Sequence, residues 1–143
     1  MTNPIFLDAN IFMYAAGAAH RYKAPCLQIL ALVETEQVTA VTSSEVLQEL
    51  LYRYSHLKLT EKGIHLCRRI LSFPIQILPV TAADVQQATE ILEAAPGIKS
   101  RDAIHAATML NNNLKIILTA DKHFEQISSL NRLDPHDYAA SIS

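Results

Sequence analysis

Tryptophan is absent from this chain, and glycine occurs three times. So few glycines cannot build a Gly-rich loop that cradles phosphates, which sets aside the nucleotide-binding loop classes. There are two cysteines, Cys26 and Cys67, each inside an apolar helical pattern. They read as buried thiols and not as a disulfide. No Cys/His run has zinc-ligand spacing, and no serine sits in a nucleophile-elbow pattern. An excess of positive charge is also missing: the formal net charge is −2. Strong non-specific nucleic-acid binders carry a basic surplus, so bulk attraction to a polyanion is weak, although an enzyme acting through bound metal is not excluded. No apolar stretch reaches the length of a membrane span. Asn3, Pro4 and Asp8 interrupt the N-terminal apolar run, so no signal peptide is read. Together with the free thiols, this predicts a reducing, cytoplasmic setting.

What is present is an ordered chain of 143 residues, half of them apolar and 18% charged, which predicts one domain over 1–143. Short apolar runs at 5–9, 38–42, 75–79 and 115–121 read as strands, with 131–135 as a fifth strand at an edge. Helical spacing covers 24–36, 43–55, 61–72, 82–95 and 100–113. Thr81 and Ser100 are expected to cap the last two helices. The alternation predicts a parallel α/β sheet covered on both faces. In such sheets ligands bind beyond the carboxyl ends of the strands. Asp8 ends the first strand and Asp121 follows the fourth, so both should emerge on one rim.

Each acid also has a structural explanation. Asp8 and Asp121 could simply cap the turns that follow them, and Asp102 suits the first turn of its helix. Glu45 lies three residues after Thr42, the spacing of a capping box. Glu49 lies nearer the apolar stripe of its helix and is preferred as the functional acid, although it could pair with Arg53 on the surface. His105 reads as a packed, hydrogen-bonded residue before it reads as a ligand. A convergence of Asp8, Glu49, Asp102 and Asp121 would repel itself unless a cation joined it. Hard oxygen ligands select Mg2+ or Mn2+, the usual equipment of phosphodiester hydrolysis.

The stretches FLDANIFMYA, SSEVLQELLYR, SRDAIHAATML and IILTADKHF occur in this order. The ordered set resembles the signature blocks of the PIN domain, particularly its VapC-like members. The resemblance implies a three-layer α/β/α fold whose five parallel strands run in the order 3-2-1-4-5. It implies a Mg2+- or Mn2+-dependent endoribonuclease with Asp8, Glu49, Asp102 and Asp121 as catalytic metal ligands, supported by Asn10 and Thr119. It further implies a toxin acting on RNA, silenced by a small antitoxin, and a homodimer. Some relatives carry another acid two residues after the fourth, where this chain has His123. Basic residues placed to hold RNA are sparse: Arg53, Lys99, Arg101 and Lys122. Two other readings compete. One is a non-catalytic binding module on the same fold. The other is an aspartate-based phosphatase, disfavoured because Asn10 stands where a second aspartate is wanted.

Overall fold

The structure, a computed structural model, describes residues 3–142; the expected unit over 1–143 includes residues 1, 2 and 143, which lie outside that range. Its strands are β1 (Ile5–Leu7), β2 (Ala40–Ser43), β3 (Gln76–Leu78), β4 (Ile116–Leu118) and β5 (Asn131–Leu133). All four pairings are parallel, as the strand–helix alternation predicts, in the order β3-β2-β1-β4-β5 that the resemblance implies. The flanking helices are α1 (Ala9–Ala16), α2 (Lys23–Glu34), α3 (Ser44–His56), α4 (Thr60–Ser72), α5 (Ala82–Ala94), α6 (Ser100–Asn111) and α7 (Pro135–Ile142). Among the described residues no helix is long and apolar enough to cross a membrane.

Every residue of β1 and β2 is buried, whereas β3 and β5 are partly exposed. The central strands can therefore be uninterruptedly apolar, with Phe6, Leu7, Ile117 and Leu118 fully enclosed. Register sets Phe6 beside Ile117 and Leu7 beside Leu118. From β1 the chain builds outward to β2 and β3 on one side, and β4 and β5 complete the other. The reversal falls between β1 and β4, and a crevice opens beyond the carboxyl ends at such a switch point.

Helix packing follows from local chemistry. A Cβ on Gly63 of α4 would lie 2.8 Å from the Tyr54 Cβ, so the missing side chain lets α4 approach α3. Thr81 caps α5 in a full capping box with Asp84. Asp84 also accepts from Thr108 Oγ1 at 3.1 Å and Asn111 Nδ2 at 2.8 Å, tying α5 to α6. Asn113, after α6, takes the left-handed conformation with φ 59°, which asparagine tolerates better than most residues. Both cysteines are free and buried, and burial pushes the Cys26 thiol up to about 12.

Several local expectations need correction. The strand expected over 5–9 ends at Leu7, because Asp8 turns the chain into α1. Thr42 does not cap α3; it still pairs in β2, and its hydroxyl donates to Leu7 O at 2.9 Å. Ser43 is the cap, accepting from Val46 N, so Thr42 and Glu45 form no capping box. Ser100 is the first helical residue of α6; the preceding Lys99 supplies no side-chain cap. The edge strand stops at Leu133, and Asp134 accepts from His136 N and Asp137 N to start α7 at Pro135.

Asp84 is 2% exposed and satisfies donors on two helices. Asp84→Ala leaves those donors without their acceptor and is expected to destabilise the fold by about 2–3 kcal/mol. Urea unfolding checks this: the midpoint should fall with an unchanged slope, and an unmoved midpoint would show that the cross-link contributes nothing.

Candidate active site

Asp8 leaves the end of β1 where its backbone N–H still bonds to Leu118 O of β4. Its Oδ1 accepts from Ala9 N at 2.8 Å, capping α1. Its Oδ2 accepts from Thr119 Oγ1 at 2.7 Å and more weakly from Asn10 Nδ2 at 3.4 Å. Thr119 in turn accepts from Asn10 Nδ2 at 2.9 Å and from Asp121 N at 3.0 Å. Asn10 Oδ1 accepts from Ala120 N. A single hydroxyl thus uses its one donor and both acceptor positions, and it sets Asp8 relative to the backbone that presents Asp121. The Asp121 carboxylate accepts from His123 N at 2.9 Å and lies 2.8 Å from His123 Nδ1. The cap explanation and the rim placement hold together for both aspartates.

Glu49 of α3 points inward, as its position beside the apolar stripe predicts, and is 5% exposed. It also makes the expected pair with Arg53, at 2.9 Å. Glu45 faces elsewhere and pairs with Arg101 at 3.3 Å. His105 of α6 is fully buried, and its Nε2 donates to Glu49 Oε1 at 3.0 Å. The packed, hydrogen-bonded role is the one observed, but this histidine also belongs to the acidic site: its Nε2 lies 3.8 Å from Asp8 Oδ1. Its Nδ1 is buried without a hydrogen-bond partner among the described residues.

One cavity of about 280 Å³ brings the acids together. Asp8, Glu49, Asp102 and Asp121 line it, with Asn10, Tyr14, Arg53, Lys99 and Arg101. Thr119 stands behind Asp8 and is fully buried. Of the basic residues singled out in the sequence, Lys122 is exposed and lies outside the lining. Tyr14 also lines the cavity, which the apolar run around it in the sequence conceals.

Charge burial separates the acids. Burial pushes the Asp8 carboxyl up, against the pull of His105 and the hydrogen bond from Thr119. Burial, then the negative charge of Asp8, pushes Asp102 up to about 6. Asp102 accepts no hydrogen bond from any described residue, and the His105 charge pulls it back only in part. Glu49 goes the other way: burial would raise it, but the His105 hydrogen bond and charge, with Arg53 and Arg101, hold it below the usual range. His105 is pushed down by burial, and Glu49, Asp8 and Asp102 more than reverse this. Acids driven apart in one cleft make it a candidate functional site.

The donor set fits a divalent cation. One ligand atom each from Asp8, Glu49 and His105 lies within 4.8 Å of the others. His105 Nε2 is already engaged with Glu49, so the available donors are carboxylate oxygens, the hard ligands magnesium and manganese prefer. Asp102 and Asp121 face the same cavity from outside that tight group.

Comparison with known proteins agrees with this architecture. The PIN domain profile matches residues 5–130. Ribonuclease VapC13 of Mycobacterium tuberculosis is 30% identical over 129 residues, spanning 90% of this chain and 98% of the relative. Ribonuclease VapC23 of the same species is 34% identical over 120 residues, covering 82% and 92%. Among solved structures, VapBC2 from Rickettsia felis, bound to a promoter DNA fragment, superposes with a TM-score of 0.71 at 25% identity. That match covers 92% of this chain and 98% of the other. This chain belongs to the PIN domain family.

Proposed function

We propose that the chain is a VapC-like endoribonuclease toxin that cleaves RNA phosphodiester bonds with Mg2+ or Mn2+ held by Asp8, Glu49, Asp102 and Asp121. The observation that carries this reading is the cavity at the switch point, where the four carboxylates converge from separate segments. Ribonuclease relatives matched along nearly their whole length support it.

In this reading Asp8 is the fixed member of the set, because Thr119 and Asn10 hold it in one orientation. His105 and Arg53 grip the two oxygens of Glu49, keeping it ionised and aimed inward. Asp102 is the adaptable member: unpaired and raised to about 6, it has most to gain from a cation. A divalent ion bound here supplies charge neutralisation of the phosphate and a lowered pKa for an attacking water. In this reading Arg53, Lys99 and Arg101, which line the cavity, donate to the flanking phosphates.

The reading includes a small antitoxin as partner. A second cavity, of about 220 Å³, is mostly apolar and framed by α1, α2 and α4 through Phe12, Leu27, Leu30, Leu66 and Ile70, with Glu34 and Arg69 also in its lining; such a lining suits an apolar side chain of a partner. A homodimer belongs to the same proposal, and sedimentation of the chain alone tests it.

Asp8→Asn and Asp121→Asn should each lower RNA cleavage by about a hundredfold or more, measured on a panel of RNAs with magnesium or manganese and with folding checked by circular dichroism. Undiminished cleavage in both variants would remove the carboxylates from the mechanism. The metal makes a separate, non-catalytic prediction. Asp102 titrates near 3.8 when unfolded and at about 6 when folded. A raised carboxyl favours the folded state while protonated, so this contribution is lost as pH climbs from about 4 to 6. In metal-free protein at pH 7, Asp102→Asn should raise Tm by about 3 °C or more, with the gain shrinking towards pH 4. Added Mg2+ or Mn2+ should stabilise the wild type more than the variant. Calorimetry showing no gain at pH 7 and equal metal responses would contradict the assignment.

A further inference from the structure

Tyr14 lines the acidic cavity, partly buried, with one side against the core. It stacks on His20 with ring centroids 4.6 Å apart and planes 23° from parallel. Tyr22 joins both rings, 5.2 Å from Tyr14 and 5.8 Å from His20. His20 is exposed, whereas Tyr22 is buried. An exposed imidazole normally samples several rotamers, yet this one is fixed: His20 Nδ1 accepts from Tyr22 N at 3.1 Å. That bond leaves the ring proton on Nε2, so the free edge of the imidazole is a donor.

One long-range bond and two local contacts hold the segment carrying these rings. The Tyr22 hydroxyl donates to Asp134 Oδ1 at 2.6 Å, beside the start of α7. Arg21 lies over the Tyr22 ring, 4.8 Å from its centroid. Lys23 Nζ donates to Gly17 O. The result is a preorganised aromatic surface that begins at the cavity wall and runs out to solvent.

The geometry points to Tyr14 and His20 as a stacking platform for a nucleobase of single-stranded RNA next to the phosphate seated at the acidic cavity. This assignment rests on the ribonuclease reading and adds to it the residues that grip the substrate. Three physical arguments favour a base as the occupant. Single-stranded RNA is recognised largely by stacking its splayed bases on Tyr, Phe, Trp or His. Stacking is indifferent to the negative charge of the neighbouring carboxylates, which weakens any purely ionic grip. Two of the three cations at the cavity wall are already paired with acids, Arg53 with Glu49 and Arg101 with Glu45, so ionic binding is limited, and stacking on a ring strengthens binding by about five- to a hundredfold per base. A second ring pair, Tyr52 and His56 with Arg101 over Tyr52, reaches the cavity only through Arg101 and serves as an internal control.

The test uses short single-stranded RNAs carrying 2-aminopurine at successive positions, titrated with the whole chain in calcium while gels monitor strand integrity. Stacking on a ring quenches that fluorophore. Wild type should quench it at one or two positions. Tyr14→Leu and His20→Ala should abolish the quench and weaken binding about tenfold. Tyr14→Phe, which keeps the ring, should stay within about twofold of wild type, and Tyr52→Leu should keep the quench. Circular dichroism and melting of each variant separate a lost platform from a lost fold. Absence of RNA binding by wild type overturns the platform. So does a quench that survives loss of both rings or disappears with Tyr52, and so does RNA binding unaffected by the ring variants, the result expected if a protein tail occupies the rings. Cleavage in magnesium or manganese is scored separately. Ring-dependent quenching without cleavage sinks the ribonuclease reading and leaves the platform. Cleavage with wild-type KM in Tyr14→Leu and His20→Ala does the reverse.

Discussion

The hydrogen bond from Thr119 Oγ1 to Asp8 Oδ2, 2.7 Å long, joins residues 111 apart in sequence. It exists because β1 and β4 lie side by side at the centre of the sheet, with Leu7 opposite Leu118. A carboxylate only 4% exposed is costly unless its oxygens are satisfied, and here Ala9 N, Thr119 and Asn10 do so. The same hydroxyl receives Asp121 N, so one threonine indexes two acids from two strands. The adjacency is itself set by apolar chemistry: Phe6, Leu7, Ile117 and Leu118 are fully enclosed, and enclosure on both faces is what a parallel pair at the sheet centre requires. The chemistry of the rim thus depends on the packing beneath it.

Above that bond the cavity divides its acids by how each is compensated. Glu49 has a partner on each oxygen, His105 within the fold and Arg53 at the surface, and is held below its ordinary range. Asp102 has none and rises. A fold selected only for stability would pair or remove such a residue. Retaining an uncompensated carboxylate beside Asp8 leaves a favourable place for positive charge and makes the folded state more stable once that charge is bound. The buried, unpartnered His105 Nδ1 is a further local cost tolerated in the same place.

Much of this was legible in the sequence, for identifiable reasons. Strand positions could be read because the central strands are short apolar runs with no alternation. The two strand-end aspartates could be located from the rule that parallel sheets bind at their carboxyl ends. Helical phase separates Glu49 from Glu45 correctly, whereas the capping-box spacing of Glu45 does not survive. The order of strands came from resemblance, because periodicity says nothing about which strands are neighbours. What escaped was decided by contacts distant in sequence. Thr42 looks like a cap from its spacing to Glu45, yet it remains a strand residue paired with Ile77, so Ser43 takes the role. Helix α7 was hidden, although Asp134 followed by Pro135 is a start signal. His105 reads as packed, and it is, but no local signal names its partner Glu49, 56 residues away.

The remaining physical question is how a chain of net charge −2 holds a polyanion. Net charge acts at long range, and about 10 Å of ordinary saline screens it. What decides binding lies within the cavity wall, where the acids are concentrated at the floor and Arg53, Lys99 and Arg101 stand around them. Two of those cations are partly spent: Arg53 on Glu49 and Arg101 on Glu45. Ionic attraction alone therefore gives a weak and salt-sensitive hold. Aromatic surface has neither weakness, since stacking requires no counter-charge and survives salt. A tyrosine and a fixed histidine at the edge of an acidic floor resolve the conflict between gathering carboxylates for a cation and approaching a strand of phosphates. The base is gripped where the charge is absent, and the phosphate is carried over the floor by its own backbone.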